Sequence, residues 1–188
     1  MGWSDFYRRR DIMNTALAYA CHDEEARIPF DRIDGAEEVF GTEENLLLAL
    51  HHRWLQLLTG HLRAHTGGPE DADDVPGEDS EDHDDHVDAV SRAWRAAVRR
   101  NPTLYAVVDA NVERYPALRR AHRAELRMLA VISGLAEPHE PQDEAARIGG
   151  TLVALLKQRD ALRASSRTTT VDRWLGPLRR LSRLASPA

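Results

Sequence analysis

The chain predicts an all-α protein, a helical bundle of about eight helices, and three observations carry that prediction. The first is the stretch Val39 to Leu62, VFGTEENLLLALHHRWLQLLTGHL, where Leu46, Leu47, Leu50, Trp54, Leu57 and Leu58 recur at three- and four-residue spacings and so share one face of a long helix. The second is punctuation that starts and stops helices: Gly41-Thr42, Asn101-Pro102, Tyr115-Pro116, Gly134 and Pro141. The third is size and composition. A chain of 188 residues with 42% hydrophobic and 30% charged residues is long enough for one solid core, or for two small helical units that share one.

Composition also excludes some classes. No apolar run reaches the length of a membrane span, and SDFYRRRD interrupts the first residues, so a cytoplasmic protein without membrane attachment is expected. The single Cys21 fits a reducing compartment and is expected to be a small buried residue on the first helix. A net charge of −6 argues against a general nucleic-acid coat, which needs a basic surface, but leaves room for a local basic patch.

In chain order, Trp3 to Glu25 reads as helix one. Tyr7, Ile12, Ala16, Leu17 and Ala20 form its narrow apolar stripe, and Arg8, Arg9 and Arg10 form a basic cluster near its start. Residues 28–40 follow without a clear period. The long helix then opens at Thr42, whose hydroxyl can accept from orphan amides, and Glu43 and Glu44 place negative charge on its positive end. Residues 66–80 are rich in Gly, Pro and Asp, cannot bury enough apolar area to offset ordering, and read as a flexible acidic loop.

A second long helix starts near Glu81 with Val87, Val90, Trp94, Ala97 and Val98 on its inner face. Asn101 as cap and Pro102 in the first turn open the next helix, which Tyr115-Pro116 breaks. Pro116 to Ser133 carries Leu118, His122, Leu126, Leu129 and Ile132, and Gly134 ends it. Gln142 to Arg163 follows, and Gly149-Gly150 inside it predicts the close approach of another helix, since each glycine costs about 1 kcal/mol against alanine. Residues 165–188 form a basic amphipathic tail with a short helix begun at Thr170.

The run Phe40-Gly41-Thr42-Glu43-Glu44-x-Leu46-Leu47-x-Ala49-Leu50, with Trp54 beyond it, resembles the junction of TetR/AcrR-type transcriptional regulators, where the DNA-binding head passes into its connecting helix. The resemblance runs from Arg8 to about Lys157. It implies a reduced helix-turn-helix region over 1–45, a ligand-binding and dimerisation domain over 46–164, and phosphate contacts from Arg8, Arg9 and Arg10. It also implies a homodimer through the last two helices, for which the candidate residues are Leu126, Ile148, Gly149, Leu152 and Leu156. Finally it implies a cavity for an apolar small molecule, for which Trp54, Trp94, Tyr105, His122 and Met128 on the inward faces are the candidates.

The departure from that family lies at residues 28–40, about eight residues too short for a support helix, turn and recognition helix. GAEEVF presents Glu37 and Glu38 where a recognition helix would meet phosphate, and no residue there qualifies as a base contact. Two functions therefore stand side by side: a TetR-like regulator responding to a small ligand, or a TetR-derived dimeric ligand-binding or interaction protein that has lost specific DNA binding; a third, an unrelated helical enzyme or metal protein, has only scattered histidines behind it. No spacing supports catalysis, and no enzyme, cofactor or metal is expected. His61 with His65, and His83 with His86 among Asp82, Asp84, Asp85 and Asp88, are each about one helical turn apart, yet no C-x-x-C or H-E-x-x-H spacing fixes a geometry, and His61 and His65 extend the stripe of Leu50, Trp54 and Leu57.

Overall fold

The computed structural model describes residues 3–23, 25–66 and 81–181, with residues 66, 81–85 and 164–181 described by backbone alone. Among them every regular element is helical. They are α1 (Trp3–Ala20), a single 3-10 turn (Phe30–Arg32), α2 (Ala36–Phe40), α3 (Glu43–Thr66), α4 (Glu81–Arg100), α5 (Pro102–Asn111), α6 (Pro116–Ile132) and α7 (Gln142–Leu181). The expected acidic loop lies outside the described residues, apart from its first residue, which ends α3.

The chain divides into two compact units, Met1–Gly149 and Gly150–Ala188, and α7 is one continuous helix across that boundary. The tail helix expected to begin afresh at Thr170 is instead the far end of α7. The side chains expected to make that tail amphipathic lie outside the described residues.

Helix α3 is the axis of the first unit, and α4, α5 and α6 all pack on it. Its start follows the sequence signals. Gly41 closes the preceding turn at φ +73°, the Asn45 amide donates to Thr42 Oγ1 at 3.2 Å, and the Asn45 side chain donates back to Phe40 O at 2.8 Å. Leu46, Leu47, Leu50, Trp54, Leu58 and Leu62 are buried along one face, whereas Leu57 is half-buried at its margin. A buried leucine contributes roughly 1.5–3 kcal/mol relative to an exposed one, so this face alone commits the unit to its packing.

The helix ends behave as their residues require, with one exception. α6 closes in a Schellman motif, in which Leu135 N donates to Ala130 O at 3.0 Å, Gly134 N donates to Val131 O at 3.1 Å, and Gly134 takes φ +72°. The exception is Asn101. Its side chain makes no cap bond to α5 and instead donates to Ala97 O of the helix before it, at 3.3 Å. Helix α1 stops at Ala20, five residues earlier than expected, so Cys21 falls in the turn beyond it and is exposed rather than buried.

Gly149 explains itself. A β-carbon placed there would lie 1.9 Å from Leu126 O, so α7 crosses α6 with its backbone against the carbonyl of its neighbour. Beside this crossing, Ala130, Ala136 and Ala145 form a small core against which Ile148 packs. Small residues on both sides allow the approach that the glycine requires.

Candidate functional site

The charged residue that the fold treats most unusually is Glu125. It lies on α6 seven residues after Leu118 and four before Leu129, which puts it in the buried stripe of that helix, and it is 3% exposed. A carboxylate in such surroundings needs partners, because an unpaired buried charge is costly. Three side chains supply them. Trp54 Nε1 donates to Oε1 at 2.8 Å, His51 Nε2 lies 3.0 Å from Oε2, and His122 Nδ1 lies 3.4 Å from the same oxygen. An ionised carboxylate only accepts, so both ring nitrogens are donors in this arrangement.

The electrostatics follow from those contacts. Burial by itself pushes the Glu125 carboxyl upward, yet hydrogen bonds from His122, His51 and Trp54 outweigh it and hold the group at about 2. The neighbouring Tyr105 moves the other way. Burial raises its phenol first, and the negative charges of Asp109 and Glu125, with a hydrogen bond to Asp109, raise it further. Tyr105 is thus a neutral wall of the site across the ordinary pH range.

Helix α3 places His51 and Trp54 three residues apart on the face that meets α6, and α6 places His122 and Glu125 three residues apart in return. His51 is buried with Glu125, whereas a quarter of the His122 side chain reaches solvent. There it lines an open cleft of about 400 Å³ with Asp109, Val112, Arg119, Arg123 and Leu126. The site is therefore a sealed polar centre with one imidazole as its outlet.

The five residues expected to line an apolar cavity divide accordingly. Tyr105 packs on Trp54 at 5.0 Å between ring centroids and meets Trp94 edge-on at 5.4 Å, so these three fill space against one another. His122 is the one of the five on the cleft just described, and Met128 is half-buried further along α6. His51 and Glu125 were not anticipated. Their signal was present, since each is a polar residue in phase with an apolar stripe, Leu47-Leu50-His51-Trp54 on α3 and Leu118-Glu125-Leu129 on α6.

At the other end of the unit, the arginine cluster is engaged within the chain. Arg8 forms a two-pronged ion pair with Glu38, its Nη1 at 2.9 Å from Oε1 and its Nη2 on Oε2. Its guanidinium also crosses Gly35 so closely that a β-carbon there would sit 2.9 Å from Nη2. Arg9 stacks over the Phe40 ring at 4.8 Å, and Arg10 over the Tyr7 ring at 4.9 Å. The segment where a recognition helix would be expected folds as the 3-10 turn and the five-residue α2.

Trp3 and Phe6 stand exposed beside Arg8 and Glu38 on a second cleft of about 650 Å³. Of the residues expected at a dimer interface, Gly149, Leu152 and Leu156 are buried within the single chain, and Leu126 and Ile148 are half-buried. Among the described side chains of α7 in the second unit, the large apolar ones left exposed are Leu155 and Leu162, seven residues apart. Among the described residues no helix is long and apolar enough to cross a membrane.

His51, His122 and Glu125 offer two imidazole nitrogens and one carboxylate oxygen within 4.8 Å of one another, which is the donor set of a three-ligand metal centre as well as a hydrogen-bonded cluster. His61 and His65, the pair picked from spacing, have their rings 6.4 Å apart at the end of α3, with His65 exposed. Compared with known proteins, the chain matches no family model, no curated protein and no solved structure.

Proposed function

We propose that this chain is a TetR-derived helical protein that works as a homodimeric ligand-binding or interaction module and does not read DNA sequence. The observation that carries the reading is the fold of residues 28–40. A recognition helix must be long enough to lie in the major groove and present several side chains to base edges. Five residues in α2, bearing Glu37 and Glu38 in the first turn, offer neither the length nor the donors.

The ion pair of Arg8 with Glu38 and the stacking of Arg9 on Phe40 and of Arg10 on Tyr7 support the same conclusion, because basic side chains already engaged within the chain are poor phosphate clamps. Ligand binding is assigned to the cleft at His122. Asp109, Arg119 and Arg123 around its mouth favour a ligand with polar groups over a purely apolar one. Dimerisation is assigned to α7, whose Leu155 and Leu162 at heptad spacing form an apolar strip suited to a symmetry mate.

Binding of the full-length protein to a sequenced pool of genomic fragments, at low and at physiological salt, tests the first part. Retention that vanishes with salt is expected, and enrichment of a palindromic site at physiological salt would restore the regulator reading. Sedimentation equilibrium tests the second. Wild-type protein is expected as a dimer and the Leu155→Glu, Leu162→Glu double variant as a monomer; a wild-type monomer sinks the assignment.

A further inference from the structure

We propose that His51, His122 and Glu125 bind one divalent transition-metal ion of the zinc class, with an open coordination position facing the cleft at His122. The proposal goes beyond the ligand-binding reading and holds whether or not the chain dimerises.

The geometry is that of a site with one corner already shared. Both imidazoles converge on the same carboxylate oxygen, Oε2, at 3.0 and 3.4 Å. Bonds of about 2.0–2.1 Å around a tetrahedral ion separate neighbouring donors by about 3.3 Å, so both edges that meet at Oε2 are of metal-centre length. The third edge, between the imidazoles, is at most 4.8 Å. A small rotation of the partly exposed His122 ring brings it in, and His122 is the member of the trio with room to move.

The surroundings are those that a metal centre needs. Trp54 Nε1 donates to the other carboxylate oxygen, Oε1, at 2.8 Å, and so orients Glu125 with Oε2 toward the two rings. Such an outer hydrogen bond fixes the direction and basicity of a ligating carboxylate. His51 and Glu125 are sealed from water, which removes the competing hydration of two ligands. Two imidazoles and one carboxylate suit zinc and its first-row neighbours rather than magnesium or calcium, which prefer an all-oxygen shell. For each ring to bind through the nitrogen that faces Oε2, the proton on that nitrogen shifts to the ring's other nitrogen or is released to solvent, and the ion takes its place between ring and carboxylate.

The test uses the full-length protein, stripped with chelator and titrated with Co²⁺ as a spectroscopic probe and with Zn²⁺. One ion per chain is expected, with the intense visible ligand-field absorption of a cobalt centre that has fewer than six ligands. His122→Ala abolishes that absorption, and Trp54→Phe weakens affinity about 10- to 100-fold, as loss of an outer-shell partner does. A His83→Ala, His86→Ala double variant leaves both stoichiometry and spectrum unchanged. Absence of one-to-one binding overturns the proposal, as does absorption that survives His122→Ala or disappears in the double variant. Nitrogen-edited NMR of wild-type protein provides a reading independent of any variant's folding. Zn²⁺ is expected to move the ring signals of two of the nine histidines, and movement of none, or only of exposed rings, overturns the assignment.

Discussion

Glu38 and Glu125 are both carboxylates gripped by more than one donor, and they differ in almost everything that decides energy. Glu38 meets Arg8 on the surface, with both side chains about half or more exposed. The pair lowers the Glu38 carboxyl, first through the Arg8 hydrogen bond and then through its charge, but water competes for every one of those contacts. Glu125 meets one indole and two imidazole donors instead, two of them sealed in the core with it. No guanidinium is needed there, because burial removes the competing water and makes each hydrogen bond count. A surface ion pair is thus an ornament of geometry, whereas a buried carboxylate held by an indole and two imidazoles becomes a structural centre.

The comparison is broken most directly by removing Glu125. Glu125→Ala leaves the Trp54 and His51 donors buried without an acceptor, and a loss of about 3–5 kcal/mol is expected, measured by urea denaturation of metal-free protein followed by circular dichroism. A loss below about 1 kcal/mol would mean that water enters and satisfies the donors.

Acid acts on the same centre with a determined sign. The Glu125 carboxyl is held at about 2 in the folded chain against 4.5 for the free group, so its contribution is complete above pH 4.5 and is lost as pH falls from there toward 2. The stability at stake is on the order of 3 kcal/mol. A titration of melting temperature in chelator should show an acid-side decline that Glu125→Gln flattens; equal slopes in the two proteins would remove Glu125 as its source.

Trp54→Phe sharpens the point by keeping the ring in the core and deleting one donor. About 1.5–3 kcal/mol is expected, the usual range for a hydrogen bond to a charged group, and a double-mutant cycle with Glu125→Gln should reveal coupling between the two. Additive losses would show that ring packing, and not the N–H, carries the effect. The smallest change belongs to the surface. Glu38→Gln should leave the melting temperature within experimental error and insensitive to salt, and a clear drop would promote the Arg8 pair to a structural role.

Local chemistry made much of this molecule legible before its structure. The helix starts at Thr42, Pro102 and Pro116, and the stop at Gly134, depend on residues within one turn of each other, so they can be read from the chain directly. The same holds for the leucines of α3, because a stripe at three- and four-residue spacing has to be covered by something. The glycine inside α7 also announced a close neighbour, although only the fold identified it as Leu126.

What local reading missed was partnership across the bundle. His51 and Glu125 stand 74 positions apart in the chain, and each alone reads as an interruption in an apolar stripe. Taken singly, Leu126 was the better candidate for the inner face of α6, because an apolar side chain costs nothing to bury. Tertiary packing reversed that choice by setting α3 and α6 face to face, where one carboxylate satisfies an indole and two imidazoles at once. The sequence by itself determined most of the helical stretches and the apolar stripe of α3, since those properties arise from neighbours on one helix. Only the tertiary structure decided which polar residues meet, because the energy that permits a buried charge exists only when donors from separate helices arrive together.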